Sequence, residues 1–389
     1  MAGCFGVRLL HWGPLLAFTI IGVITTFTIS CHLQWWPVST AGGAIDMFFF
    51  LLWNTLTLYN LISAAFSGPG YVPNGWKPEN SEDTQYLQYC HLCEGYKAPR
   101  SHHCRKCQRC VCKMDHHCPW INNCVGHFNH GSFTSFLFFA PCGCIHALFI
   151  LIPSMYRAIN RGDYLRSGRT DVPFVGISNE VFIGSMFSVS LSIGVTVALL
   201  VLLYIQMKSI LRNQTGIEAW ICDKAEYRVR DEDEDEEFTY PYHLGRWKNF
   251  CQVFHFRRRP ELNGVYWPVV EGCDQYTLTV EQLKQKQEKK DRSVVYGIQE
   301  TYAGNICPCS KGCRVFCCPP CTDEPRIKLS IGDRILVSRW KKHWLYGEKL
   351  TTEKIPGSKR IRGWFPRRCA VELVDQDEIL SPENDKKNA

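Results

Sequence analysis

Four long apolar runs constrain this chain more than anything else in it. Residues 14–33 carry no charge, and at about 20 residues they match the length that crosses a bilayer core as a helix. Residues 45–66 form a second run with Asp46 at its edge, a third spans roughly Phe133 to Tyr156, and a fourth spans Val181 to Met207. Core helices of a soluble protein show a charged face at such lengths. These runs show none, so they read as four transmembrane helices. The first run continues without a small-residue cleavage site, so it is expected to remain as a span rather than be removed as a signal peptide.

Four spans put both termini on one side. The 67–132 loop, on that same side, carries Lys77, Lys97, Arg100, Arg105, Lys106, Arg109 and Lys113, and the tail after Met207 is also basic. Positive charge marks the cytosolic side. The opposite loop opposes this bias with Arg157, Arg161, Arg166 and Arg169. Cysteine usage breaks the tie. The chain has 22 cysteines, many in C-x2-C spacing, which in a long chain favours metal ligation in a reducing compartment over a disulfide framework. The net charge of +7 is modest and sits near the apolar runs, which suits a membrane surface and not nucleic acid. The uncharged 34–43 linker holds Trp35-Trp36, an interface-belt pair.

The densest pattern runs from Cys90 to Cys124: C-x2-C-x9-H-C-x2-C-x2-C-x4-D-H-H-C-x5-C. Zinc takes four N/S ligands, so two closed sites need eight. Two interleaved sets fit: Cys90, Cys93, His103 and Cys110, then Cys104, Cys107, His117 and Cys124. Adjacent residues of an extended chain point to opposite sides, so His103 and Cys104 need not share a metal, nor His117 and Cys118. So small a loop has almost no apolar core, which argues that metal holds it. Cys112 and Cys118 are left over. Cys118 follows Asp115-His116, and a thiol becomes nucleophilic when an imidazole takes its proton and a carboxylate fixes the imidazole's tautomer. From spacing alone a second reading stands beside it, with Asp115 and His116 structural and Cys118 a third-site ligand.

The 90–124 stretch, its flank Pro119-Trp120-Ile121-Asn122-Asn123-Cys124-Val125-Gly126 and the four-span layout resemble the DHHC family of protein S-acyltransferases. The resemblance implies a cytosolic domain with two structural zinc ions, Cys118 as the acyl-carrying nucleophile, His116 as base and Asp115 orienting it, with His117 holding zinc. It also implies a long-chain acyl-CoA donor, palmitoyl above all, and acceptor cysteines on membrane-associated proteins. Gly68-Pro69-Gly70 stands where the family has Asp-Pro-Gly, and Thr215-Gly216-Ile217-Glu218 where it has Thr-Thr-x-Glu; Asn249 in the Tyr242–Phe250 segment matches its asparagine near the membrane. Cys112 stands at a usually apolar position. The rival reading is an inert zinc-organised membrane scaffold that recruits partners.

The remaining chain divides at 208, after which 209–305 reads as juxtamembrane region and linker, including the acidic run Asp231–Glu237 and a charge-rich, near-helical 276–292. Residues 306–321 form a second cysteine cluster, and 322–375 show short β-type runs that resemble an SH3 barrel: Arg334-Ile-Leu-Val-Ser, then Trp340, Trp344, Gly347 and Gly363-Trp364-Phe365-Pro366. Such a barrel either docks a proline-rich ligand or packs on its own transferase domain. Cys317, Cys318 and Cys321 lack paired metal partners and are candidates for S-acylation of the tail, by this enzyme or another acyltransferase. Residues 376–389 end in Lys386-Lys387-Asn388-Ala389, which looks like a dilysine endoplasmic-reticulum retrieval signal. Asn213-Gln214-Thr215 is a glycosylation sequon expected to be unused on the cytosolic side. The fold expected is therefore a polytopic α-helical membrane protein of four transmembrane helices, in the endoplasmic reticulum with both termini cytosolic. Its expected domains are a cytosolic two-zinc cysteine-rich domain and a C-terminal all-β SH3-like barrel.

Overall fold

A computed structural model describes residues 9–168, 175–232, 238–254, 262–305, 308–322, 324–350 and 361–373. Lys386 and Lys387 lie outside the described residues. Among the described residues, four helices are long and apolar enough to cross a membrane: α1 (Trp12–Trp35), α2 (Ala41–Phe66), α3 (His130–Ile159) and α4 (Asn179–Arg212). Each extends a few residues past the apolar run that announced it, and side-chain caps mark where α2 and α4 begin. Thr40 accepts from the Gly43 N–H at 3.1 Å at the start of α2, and Ser178 from the Val181 N–H at 3.4 Å at the start of α4. At the far end of α4, Asn213 takes the left-handed conformation at φ 50°.

The bundle is apolar outside and partly polar inside, as a lipid-facing fold requires. Phe149, Tyr204 and Ile183 are exposed, whereas Ser185, Ser188 and Ser192 of α4 are fully buried. These small residues let helices approach closely, and Ser185 lies 3.4 Å from the Cys31 thiol of α1. Near the ends of α1 and α2 away from the cysteine-rich loop, Asp46 meets His32 at 3.0 Å and His146 at 3.2 Å.

Between α2 and α3 lie three hairpins of two or three residues per strand: β1 (Tyr89–Cys90) with β2 (Gly95–Tyr96), β3 (His102–Cys104) with β4 (Arg109–Val111), and β5 (His116–Cys118) with β6 (Asn123–Val125). Strands this short do not hold themselves. After α4 come α5 (Gly216–Glu232) and the short α6 (Arg246–Cys251).

A second unit begins at Gln282. It contains β7 (Val294–Ile298), β8 (Arg334–Trp340), β9 (Trp344–Leu350), β10 (Arg362–Pro366) and β11 (Ala370–Glu372), an antiparallel sheet in the order β10-β9-β8-β7-β11. Its core includes Ile298, Ile335, Val337, Trp344, Leu345 and Phe365. A Cβ on Gly347 would sit 2.8 Å from the Leu336 carbonyl oxygen, so the β8–β9 approach needs glycine there. The sheet starts earlier than the 322 expected from sequence. β7 lies inside the stretch read as linker, because a single five-residue apolar run after a charged helix looks like a linker's end until its distant partners β8 and β11 are known.

Candidate active site

The eight expected metal ligands fall into the two expected groups: Cys90, Cys93, His103 and Cys110, and Cys104, Cys107, His117 and Cys124, with ligand atoms in each group all within 4.8 Å of one another. The C-x2-C turns are built locally. Cys93 N–H returns to the Cys90 carbonyl at 3.2 Å, and Cys107 N–H to the Cys104 sulfur at 3.3 Å. The residue after each pair, Glu94 or Gln108, is left-handed, at φ 50° and 55°. That conformation costs a non-glycine residue about 1 kcal/mol, so something must hold it.

The geometry fits a tetrahedral ion. Metal bonds of about 2.3 Å to sulfur and 2.0–2.1 Å to nitrogen place those two atoms roughly 3.6 Å apart. His103 Nδ1 lies 3.5, 3.4 and 3.9 Å from the sulfurs of Cys90, Cys93 and Cys110. His117 Nδ1 lies 3.6, 3.4 and 3.7 Å from those of Cys104, Cys107 and Cys124. Both groups can therefore hold a metal ion through three sulfurs and one Nδ1. The hairpins explain the interleaving: neighbours on one strand face opposite ways, so His117 joins the second group and Cys118 does not.

Cys118 belongs to neither group, and its surroundings are distinctive. The residue is 5% exposed and packs with Ala17 of α1, Leu61 of α2, Phe133 of α3 and Leu199 of α4, among others. The thiol thus sits where all four spanning helices offer apolar side chains. Beside it, His116 hydrogen-bonds both Asp115 and Cys118. Its Nδ1 meets Asp115 Oδ2 at 2.7 Å, which leaves Nε2 for the thiol. Phe133 braces the imidazole edge-on at 5.5 Å. Burial lowers the imidazole's pKa, but the bonds to Asp115 and Cys118 outweigh it and lift the group to about 9. Asp115 is nearly buried, which raises its pKa; the His116 bond, the His130 charge and the Gln206 amide more than reverse this and hold it well below the usual carboxylate range.

Gln206 and His130, which the sequence did not single out, complete the site together with the Thr215–Glu218 motif, which it did. Gln206 of α4 donates to Asp115 Oδ2 at 3.1 Å, and its own carbonyl meets His130 Nε2 at 2.7 Å. The Gly216 N–H, at the start of α5, reaches Asp115 Oδ1 at 3.3 Å. A glutamine inside an otherwise apolar run was the available signal. The Thr215–Glu218 motif forms a capping box: Thr215 N–H donates to Glu218 Oε2 at 2.9 Å, and Glu218 N–H to Thr215 Oγ1 at 3.3 Å. Arg100 locks onto this turn and also onto the Asn213 carbonyl at 2.6 Å. Asn213 is buried and its amide donates to the Tyr242 carbonyl at 2.7 Å, so the sequon has no accessible acceptor. Asn249 is buried too and donates to the Leu211 carbonyl at 2.9 Å, tying α6 to the end of α4. Two of the seven basic residues counted in the loop, Arg100 and Lys113, are buried rather than displayed; Lys113 lies 5.5 Å over the Trp267 ring.

Cys112 is 3% exposed among Val72, Cys90, Cys93, Ala98 and Cys110, and burial pushes its thiol up to about 12. It is packing, consistent with the apolar residue that the resemblance led one to expect. In the second unit, Cys317, Cys318 and Cys321 are exposed and form no third metal group among the described residues.

A buried thiol beside a histidine–carboxylate pair, at the mouth of a four-helix membrane bundle and next to two groups that could hold metal, is an arrangement suited to a membrane-embedded acyl-transfer enzyme. The profile described as DHHC palmitoyltransferase matches residues 83–223. Palmitoyltransferase ZDHHC6 of Mus musculus is 49% identical over 98% of this chain and 96% of its own length, and that of Danio rerio is 50% identical over 98% and 95%. Probable protein S-acyltransferase 13 of Arabidopsis thaliana is 31% identical over 64% of this chain and 83% of its own length. The chain belongs to the DHHC palmitoyltransferase family.

Proposed function

We propose that this protein moves a long-chain acyl group, palmitoyl above all, from acyl-CoA through a thioester on Cys118 to cysteines of membrane-associated proteins. The observation that carries this is Cys118 itself: one side faces His116 and the other an apolar core drawn from all four spans. The Cys118 thiolate, its proton on His116, attacks the acyl-CoA carbonyl. The carbon–sulfur bond to CoA breaks, and the CoA thiolate takes the proton from His116. In the second step an acceptor cysteine gives its proton to His116 and attacks the acyl–Cys118 thioester, and the Cys118 sulfur leaves and is reprotonated. Asp115 holds the imidazole tautomer throughout. Each methylene buried among the helices contributes roughly 0.8 kcal/mol, so the acyl chain supplies much of the donor's binding.

The two metal ions are read as structural zinc, held by Cys90, Cys93, His103 and Cys110 and by Cys104, Cys107, His117 and Cys124. Zinc there supplies rigidity, keeping Asp115, His116 and Cys118 in register. The inert-scaffold reading leaves the Asp115–His116–Cys118 contacts without a purpose. The test is labelled palmitoyl-CoA with purified full-length protein. Wild type should take up hydroxylamine-labile label and Cys118→Ser should not; thioester label on Cys118→Ser overturns the assignment.

The metal-binding loop and both ends of the four-span bundle are proposed to face the cytosol, from the basic loop and the reduced thiols, with the endoplasmic reticulum as the proposed membrane. The second unit is read as SH3-like: its last strand returns beside its first, and a 3₁₀ turn, Arg367–Cys369, joins β10 to β11. Trp344 and Trp364 are buried in its core, leaving Trp340 as the exposed tryptophan. That favours the barrel over a proline-rich-peptide groove, which needs a row of exposed aromatics. The exposed Cys317, Cys318 and Cys321 remain the candidate acylation sites of this unit.

A further inference from the structure

The cytosolic end of α4 carries a feature that acyl transfer does not use. A cleft of about 710 Å³ opens there, with Lys208 and Arg212 of α4, Arg246 of α6, His243 and Tyr240 among its lining residues. Lys208, Arg212, Arg246 and His243 are exposed, and none of the three Lys/Arg cations is paired with a carboxylate among the described residues. They come from two elements and face one concavity, which a linear basic run next to a membrane would not produce. Tyr240 forms a fixed wall, its hydroxyl donating to the Asn213 carbonyl at 2.7 Å.

The direction in which the cleft opens identifies the ligand. A helix turns 100° per residue, so Tyr204, Lys208, Leu211 and Arg212 lie within about 60° of the direction opposite Gln206. Gln206 points at Asp115, and Leu199 and Leu203, on the same side as Gln206, pack against the apolar cluster that holds Cys118. The cleft therefore lies on the face of α4 turned away from the thiol. Above it the helix presents exposed Val201 and Ile205, a lipid-facing surface. Beside it, Trp247 of α6 is 75% exposed, the kind of residue that sits at headgroup depth. A basic concavity at that depth, open toward lipid, matches a phosphate on a lipid and not one on a donor whose thioester must reach Cys118.

We propose that this cleft binds the phosphate of an anionic phospholipid headgroup in the cytosolic leaflet. Full-length protein is reconstituted in phosphatidylcholine vesicles containing a minority of phosphatidylserine or phosphatidylinositol 4-phosphate, extracted gently, and the retained lipid is counted by mass spectrometry. Wild type should be enriched in anionic lipid over the vesicle ratio. Lys208→Ala/Arg212→Ala/Arg246→Ala should lose that enrichment, by roughly fivefold per cation at full contact, with metal content and Cys118 self-acylation unchanged. The charge-keeping Lys208→Arg/Arg212→Lys/Arg246→Lys should retain it. If the alanine variant loses metal, the single Lys208→Glu is read instead and must still lower the enrichment. Equal enrichment in wild type and variant overturns the proposal. So does displacement of the lipid by CoA or inorganic phosphate together with a raised KM for palmitoyl-CoA in the variant, which would make the cleft a donor site.

Discussion

Arg100 and Glu218 meet as a two-pronged ion pair across 118 residues of sequence, Nε to Oε1 at 2.6 Å and Nη2 to Oε2 at 2.8 Å, with both side chains buried. Arg100 leaves the metal-binding loop and Glu218 sits in the first turn of α5. The Tyr242 and Trp267 rings cover the guanidinium at 4.2 and 4.7 Å. The pair fixes where α5 begins, and the start of α5 is where Gly216 donates to Asp115. Asp115 is thus positioned partly by a contact that lies outside the site.

Glu218→Gln should therefore be severe. It keeps the shape but leaves the Arg100 charge buried without a counter-ion, which costs about 3–5 kcal/mol. Denaturation of purified protein in detergent micelles reads this as stability, and self-acylation should fall with it. Arg100→Lys should not rescue, because an ammonium cannot make the paired contact with Glu218 while also reaching the Asn213 carbonyl. A Glu218→Gln protein as stable as wild type would show that the pair positions nothing.

Gln206→Leu tests the other support of Asp115. Leucine fills the space and removes the 3.1 Å bond, so the fold should persist. Asp115 then holds His116 less firmly, and the first-order rate of self-acylation should fall by about tenfold with the KM for palmitoyl-CoA unchanged. Asp115→Ala and His116→Ala should cost more, about 100-fold or beyond, as loss of general-base function does. A changed KM with an unchanged rate would place Gln206 in donor binding instead.

Neighbouring residues should give opposite metal phenotypes. His117 Nδ1 faces three sulfurs and Cys118 faces the helix bundle. His117→Ala and Cys124→Ser should each lower bound zinc from about two ions per chain toward one, given four ligands per structural site. Cys118→Ser should keep both. Metal analysis of the three purified variants checks this without recourse to activity. Zinc loss in Cys118→Ser would return that thiol to the ligand role that spacing alone had left open.

Local pattern made most of this legible. Four uncharged runs announced the spans, and the alternation of an extended chain separated His117 from Cys118 while leaving Cys118 open as a ligand of a third site. What stayed hidden depends on distant pairing. Gln206 was one polar residue in an apolar run, and nothing nearby said that it would face Asp115, 91 residues before it. Arg100 and Lys113 were counted as surface charge because their burial comes from Tyr242 and Trp267, far along the chain. β7 read as linker because its partners begin at Arg334.

Cys112 makes the last prediction, because the sequence offered a thiol without a role and the structure gives it one. Its backbone N–H donates to the Gly70 carbonyl at 2.8 Å, and its carbonyl accepts from the His127 N–H at 3.0 Å, so the backbone is held whatever the side chain. Its sulfur fills space against Gly264, where an added Cβ would come within 3.3 Å of it. Cys112→Ala should then cost only about 1 kcal/mol, the scale of a small buried void. Zinc content and self-acylation should match wild type. Cys112→Leu should cost more, about 1–3 kcal/mol, because a larger side chain must push Gly264 and His127 aside. Denaturation midpoints of the two variants order these costs. A Cys112→Ala protein that lost zinc or self-acylation would mean that this thiol does chemistry after all.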